Sequence, residues 1–271
     1  MKIRNTIKGL FFCVVFNLSA QNNLSVALGV NTQPTENIKV NQVNLGVDYS
    51  QTFGTKFKIE NELKYNSTNI NYFNTDFYNS STALSEMSNR LRFSYLKSDK
   101  MNVNFEIEPF IASANNLKIS DIDVLGALNV DLILSANKII TVGASRNNIF
   151  GKTLILPTLA YYYEYSKKLN FVVGFPETKM SYSNNSRNVF ALKNEFNGSL
   201  YQWNNSSKAS FSQFTTTLEF ERNMDKNWFV SFKAGYDFNK KYLLLDSYNN
   251  TTTDFNIKDG YNFGIIIKYK H

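Results

Sequence analysis

Three stretches of the sequence set ionisable side chains two residues apart. "KIENELK" carries Glu60 and Glu62, "NRLRFS" carries Arg90 and Arg92, and "NFEIEPF" carries Glu106 and Glu108. A spacing of two puts both side chains on one face of an extended strand. Carboxylates and guanidiniums on facing strands can pair into a ladder that braces a sheet, or they can present a charged constriction to water. Turnover is a poorer fit. General acid–base work near neutral pH draws most often on histidine, and the one histidine here, His271, is read as a solvated tail. The one cysteine, Cys13, leaves no His/Cys spacing for a metal. Asp76, Asp246, Asp254 and Asp259 lie among asparagines without the regular Asp/Asn-Gly pattern of a calcium loop. The expectation is no enzyme, no cofactor and no metal, with the six charged residues as the candidate site.

Turn geometry fixes which of them meet. In "NRLRFSYLKSDKMNVNFEIEPF" a three-residue turn at Ser98-Asp99-Lys100 pairs Tyr95 with Val103, Phe93 with Phe105 and Leu91 with Ile107. The same register sets Arg92 against Glu106 and Arg90 against Glu108 on the other face. A two-residue turn would place Arg92 against Phe105 and mix the faces, which a sheet with one apolar side forbids. Glu60 and Glu62 on the preceding strand complete a Glu–Arg–Glu ladder, whether brace or constriction. That preceding hairpin, "NQVNLGVDYSQTFGTKFKIENELKY", also alternates, and a turn at Thr52-Phe53-Gly54 would set Tyr49 opposite Phe57 and Asp48 opposite Lys58.

The alternation is chain-long. Strands are expected at approximately 23–31, 42–50, 56–66, 88–97, 101–111, 122–134, 139–146, 153–166, 170–176, 188–196, 199–204, 208–222, 228–239 and 259–270. That makes 14, or 12 if the pair spanning 188–204 is a folded-in loop rather than a hairpin turning at Asn197-Gly198. Connections such as "KSDK", "LSANK" and "RNMDKN" are short. They alternate with long polar ones such as "NSTNINYFNTDFYNSSTALSE" and "KKYLLLDSYNNTTTDFNIK". Loops sorted in this way belong to a transmembrane, antiparallel, up-and-down β-barrel of the outer-membrane type. Leu45, Val47, Phe105 and Ile107 then face lipid. Tyr49, Tyr95, Tyr161, Tyr163 and Tyr165 fall toward the short-turn ends, as an aromatic girdle at the headgroups would.

Composition and the N-terminus agree. "MKIRNTIKGLFFCVVFNLSA" has Lys2, Arg4 and Lys8 ahead of a short apolar run, and reads as a secretory signal peptide over 1–20 with the barrel over 21–271. The net charge of +7, less those three basic side chains, leaves +4. The remaining lysines and arginines are spread along strands rather than gathered in a patch, so no nucleic-acid partner is expected. The 15% aromatic content beside a slightly negative mean hydropathy suits a wall with a single lipid-facing side. The last strand carries Tyr261, Phe263, Ile265, Ile267 and Tyr269 on one face. It resembles the C-terminal strand that barrel-assembly machinery recognises, though it ends on Lys270-His271 rather than on an aromatic.

One further stretch, "LILPTLAYYYEYSKKLNFVVGFPETKMSYSNNSRNVFALKNEFNGSLYQW", resembles a family of uncharacterised outer-membrane β-barrels from Gram-negative bacteria, defined by a domain of unknown function over nearly the whole mature chain. Pro157, the tyrosines after it, Gly174-Phe175-Pro176, Tyr182 and Asn197-Gly198 carry the resemblance. It implies the barrel fold and the cell outer membrane, and brings neither substrate nor catalytic residues. Two functions fit. One is a passive or gated channel for small solutes, with a strand starting near Asn23 and no N-terminal plug. The other is a structural or surface-interaction barrel, its lumen filled by side chains and its long loops meeting a partner.

Overall fold

The computed structural model describes residues 23–36, 38–73, 81–114, 117–204 and 206–271. The expected signal peptide, Cys13 and Asp76 lie outside these residues. The described strands are β1 (Asn23–Pro34), β2 (Ile38–Phe53), β3 (Phe57–Tyr72), β4 (Ser81–Ser98), β5 (Met101–Ser113), β6 (Asp123–Ser135), β7 (Lys138–Asn147), β8 (Leu154–Ser166), β9 (Leu169–Phe175), β10 (Glu177–Ser183), β11 (Asn188–Asn204), β12 (Ser207–Asn223), β13 (Trp228–Asp246), β14 (Thr251–Asp254) and β15 (Gly260–Lys270). Each of β1 to β13 pairs antiparallel with the next, β13 pairs with β15, and β15 returns to β1. This closes an all-β, 14-stranded barrel. β14 adds only to the far end of β13.

The outer face explains why the wall needs closure. Leu218 (64% exposed), Leu159 (59%), Leu128 (56%), Val173 (56%) and Phe105 (50%) represent a belt of outward apolar side chains that runs around the barrel. Water does not tolerate so continuous an apolar surface on a monomer. Hydrocarbon does, provided that no strand edge is left unpaired, and closure meets that condition except where β8 and β11 extend past the short β9–β10 hairpin.

Two details of the sequence reading change. The residues read as strands 188–196 and 199–204 form one strand, β11, and Asn197-Gly198 is not a turn. The fourteenth strand is instead β10, where "ETKMSYS" offers only Met180 and Tyr182 as outward apolar signals. The β2–β3 turn is Gly54-Thr55-Lys56 rather than Thr52-Phe53-Gly54, so Tyr49 faces Asn61 and Asp48 faces Glu62. The added rungs bring Phe53 against Phe57, which stacks on Tyr95 at 4.9 Å. An exposed Asp48–Lys58 pair would contribute less than these ring contacts. The slip is an even number of residues, so every side chain keeps its face. The β4–β5 register is the one that the three-residue turn requires: Tyr95 opposite Val103, Phe93 opposite Phe105 and Leu91 opposite Ile107.

Short turns, Asn23 and His271 share one end of the barrel, the turn end. At the other, the loop end, the wall is uneven. β9 and β10 have 7 residues each, whereas β11, β12 and β13 have 17, 17 and 19. The long strands rise into a collar. It closes on itself where the Ala114 amide donates to the Gln202 carbonyl at 2.9 Å, joining the ends of β5 and β11 across the mouth. The collar holds the buried core: Ile38, Val40, Ile70, Tyr72, Leu84, Phe110, Leu125, Tyr201 and Tyr242.

Candidate functional site

Inward faces build three layers along the bore. At the turn end lies a vestibule of about 420 Å³, lined by Glu60, Glu62, Arg90 and Arg92 together with Asp48, Lys268, Lys270 and His271. Alternation on β3, β4 and β5 points all six candidate charges inward. The Arg90 guanidinium lies 3.1 Å from Glu62, 3.3 Å from Glu106 and 3.0 Å from Glu108. Arg92 donates to Glu106 at 2.8 Å and stands 3.9 Å from Glu60. Lys58 and Lys64 close the ends of the row on Glu60 and Glu62, at 2.6 and 2.7 Å. The acids and bases therefore hold one another.

The middle layer is a polar chamber of about 360 Å³. Two hydrogen-bond circuits organise it. In one, Asn66 of β3 and Ser199 of β11 donate to the two Glu86 oxygens at 3.1 and 2.6 Å, so that a β4 carboxylate straps β11 across the bore. In the other, Thr215 and Asn262 donate to one Asp237 oxygen at 2.9 and 2.7 Å. Lys240 stands 3.7 Å from the second oxygen and donates to Gln33 at 3.2 Å. A bulge creates this last arrangement. The β12–β13 register shifts between Ser212 and Phe214, and Asn239 adopts a φ of 50°, which turns Lys240 inward beside Asp237. Lys193–Glu195 at 2.6 Å and Lys233–Glu219 at 3.8 Å neutralise the remaining wall. The chamber offers amides, hydroxyls and paired charges.

Above it sits an aromatic plug. Tyr242 stacks on Phe211 at 4.1 Å and on Phe255 at 4.4 Å, and its hydroxyl lies 2.9 Å from that of Tyr72. Phe255 belongs to the segment between β14 and β15. Lys258 of that segment forms an ion pair with Glu36 in the β1–β2 connection. Hydrogen bonds and an ion pair thus fasten the plug to the collar.

The tyrosines expected in the girdle all point outward. Tyr161 stacks on Tyr163 at 6.3 Å, and Tyr163 meets Tyr165 edge-on at 6.2 Å. Tyr95 stacks on Phe57, while Tyr49 is half-buried and donates to Gln51 at 2.8 Å. Glu86, Asp237, Lys240 and the plug tyrosines escaped the sequence reading, because contacts between β4 and β11 or β3 and β13 are invisible to local periodicity. A partial signal did exist: Tyr72 and Tyr201 are aromatic residues in the inward phase of their strands, whereas Tyr242 shares the sequence phase of the outward Phe232 and Phe238 and is turned inward by the β13 bulge.

The profile of a family, the domain of unknown function DUF6268, matches residues 15–270. The chain belongs to that family. A search of curated proteins finds no match. Among solved structures, the COG4313 outer membrane channel from Pseudomonas putida F1 aligns with a TM-score of 0.55 at 7% identity, over 96% of this chain and 98% of its own. A TodX deltaS2S3 mutant, a monoaromatic hydrocarbon channel, aligns with a TM-score of 0.53 at 11% identity, over 93% and 91%. At such identities the likeness is one of fold. The family's resemblance residues have defined places. Phe175 and Pro176 form the tip of the short β9–β10 hairpin. Gly198 lies where a Cβ would come within 2.3 Å of the Ile149 carbonyl oxygen, so only glycine lets the β7–β8 connection lie against β11.

Proposed function

We propose that this protein resides in the outer membrane and is a gated channel for small polar solutes. The chamber is their compartment and the aromatic plug is the gate. The observation that carries this reading is the layering of the bore: a hydrated-type surface of amides, hydroxyls and neutralised charges lies directly beneath a plug made of the chain's own strands and loop. Gating by apolar constriction is a recognised device in channels. Loosening the plug would join the chamber to the loop end without disturbing the wall. Reconstitution in planar bilayers tests it. The wild type is expected to show low, intermittent conductance, and Tyr242→Ala with Phe255→Ala to raise the open fraction. Two silent proteins, both showing the folded migration on gels, would refute the channel.

The second reading, a structural barrel with a filled lumen, draws support from the mutual pairing of the vestibule charges. It expects silence from both proteins and loss of outer-membrane integrity on deletion.

A further inference from the structure

The wall has a break on its short side. β8 pairs with β9 only from Leu159 toward the turn end, and β11 pairs with β10 only from Glu195. Beyond the hairpin tip, Leu154–Thr158 of β8 and Phe196–Asn204 of β11 have no strand between them among the described residues. The β7–β8 connection lies in the break. Ser210 donates to the Gly151 carbonyl at 2.7 Å, and the Phe150 ring sits 5.2 Å from Phe196 and 6.2 Å from Phe175. Between this connection and the outer faces of β12 and β13 a groove of about 250 Å³ remains.

The charge of the groove is one-sided, and neutral Ser210, Ser212, Gln213 and Asn239 complete its lining. Phe196, Phe214 and Leu243 give it an apolar floor. Lys152 and Lys241 stand at it, both exposed, and its lining includes no aspartate or glutamate. Neither lysine forms an ion pair with a described carboxylate. The ladder of neighbours Phe196, Phe214 and Phe238 places the floor on the outward face, continuous with the lipid-facing belt. An apolar floor open to the bilayer beside two unpaired cations, at the loop end of the wall, matches one kind of molecule. We propose that the groove is a binding site for an anionic lipid of the surrounding leaflet, its phosphate held by Lys152 and Lys241 and its first carbons lying over Phe196, Phe214 and Leu243. The bilayer supplies the ligand, although Ser212, Gln213 and Lys241 border the chamber as well as the groove.

The test uses the full folded barrel in phosphatidylcholine nanodiscs containing a minor fraction of phosphatidylglycerol, with retained lipid identified by native mass spectrometry. One phosphatidylglycerol is expected to stay bound. The double variant Lys152→Gln/Lys241→Gln should hold it about 30-fold more weakly, since each basic residue near an anionic headgroup contributes roughly fivefold. Lys138→Gln, which removes an outward lysine at the turn end, should change nothing. Equal retention by the double variant would overturn the proposal, as would an equal loss in Lys138→Gln. Displacement by inorganic phosphate at matching concentration would mark a free-anion site and overturn the lipid assignment.

Discussion

The vestibule ladder makes a quantitative demand, because its two arginines differ in what they hold. Arg90 touches Glu62, Glu106 and Glu108, and its side chain is 33% exposed while that of Glu108 is 11%. Arg92 is 44% exposed and makes one close contact, to Glu106. Removing one partner of a buried pair costs about 3–5 kcal/mol, and an exposed pair contributes about 0–1 kcal/mol. Screening at a third exposure brings Arg90→Met between these limits, at about 2–3 kcal/mol, with Arg92→Met near 1 kcal/mol. The loss at Arg90 comes largely from the carboxylate stranded on β5. Adding Glu108→Gln to Arg90→Met should therefore restore about 1 kcal/mol, a coupling typical of contacting residues. Urea titrations of the purified barrel, read as the fraction keeping its folded gel mobility, give all three numbers. Equal costs for the two arginines, or no recovery with Glu108→Gln, would refute the account of Arg90 as the common cation of three acids.

The wall and the segment between β14 and β15 make two further predictions. Phe105→Arg at mid-strand should cost about 2–4 kcal/mol by facing hydrocarbon, while Asn104→Arg, one residue along and inward beside Asp131, should cost less; urea midpoints compare them. The Glu36 carboxyl lies below its ordinary range because Lys258 donates a hydrogen bond to it and lends its charge. A depressed carboxylate pKa stabilises the docked loop at neutral pH, and the contribution disappears as pH falls through the lowered value. Hydrogen exchange in the segment before β15 should therefore rise below the usual carboxylate range, and Glu36→Gln should show no such acid step. High salt should mimic the variant, since the pair is exposed.

Legibility followed the range of the physics. Alternation depends only on neighbours along the chain, and that sufficed for most of the wall, its inward and outward faces and the β4–β5 register, while it passed over β10 and split β11. The β2–β3 turn went astray because Gly54 was read in isolation, whereas the Phe53–Phe57 rung and the stack on Tyr95 decide the strand ends. Gly198 misled for a related reason. A glycine after asparagine is the usual mark of a hairpin, yet this one makes room for a backbone arriving from residue 149. The chamber and plug depend on contacts such as Glu86–Ser199 and Tyr72–Tyr242, separated by 113 and 170 residues, and no local pattern encodes them.

The bond between β5 and β11 also orders events during assembly. Five wall strands, β6 to β10, separate the two along the sheet. Joining their ends before those strands have docked costs more chain entropy than joining them afterwards, since each docked hairpin shortens the remaining excursion. That difference favours late formation of the collar. A nascent barrel would pass through a stage with a complete lipid-facing cylinder and an unobstructed bore, and the aromatic side chains would pack into its mouth as the final step.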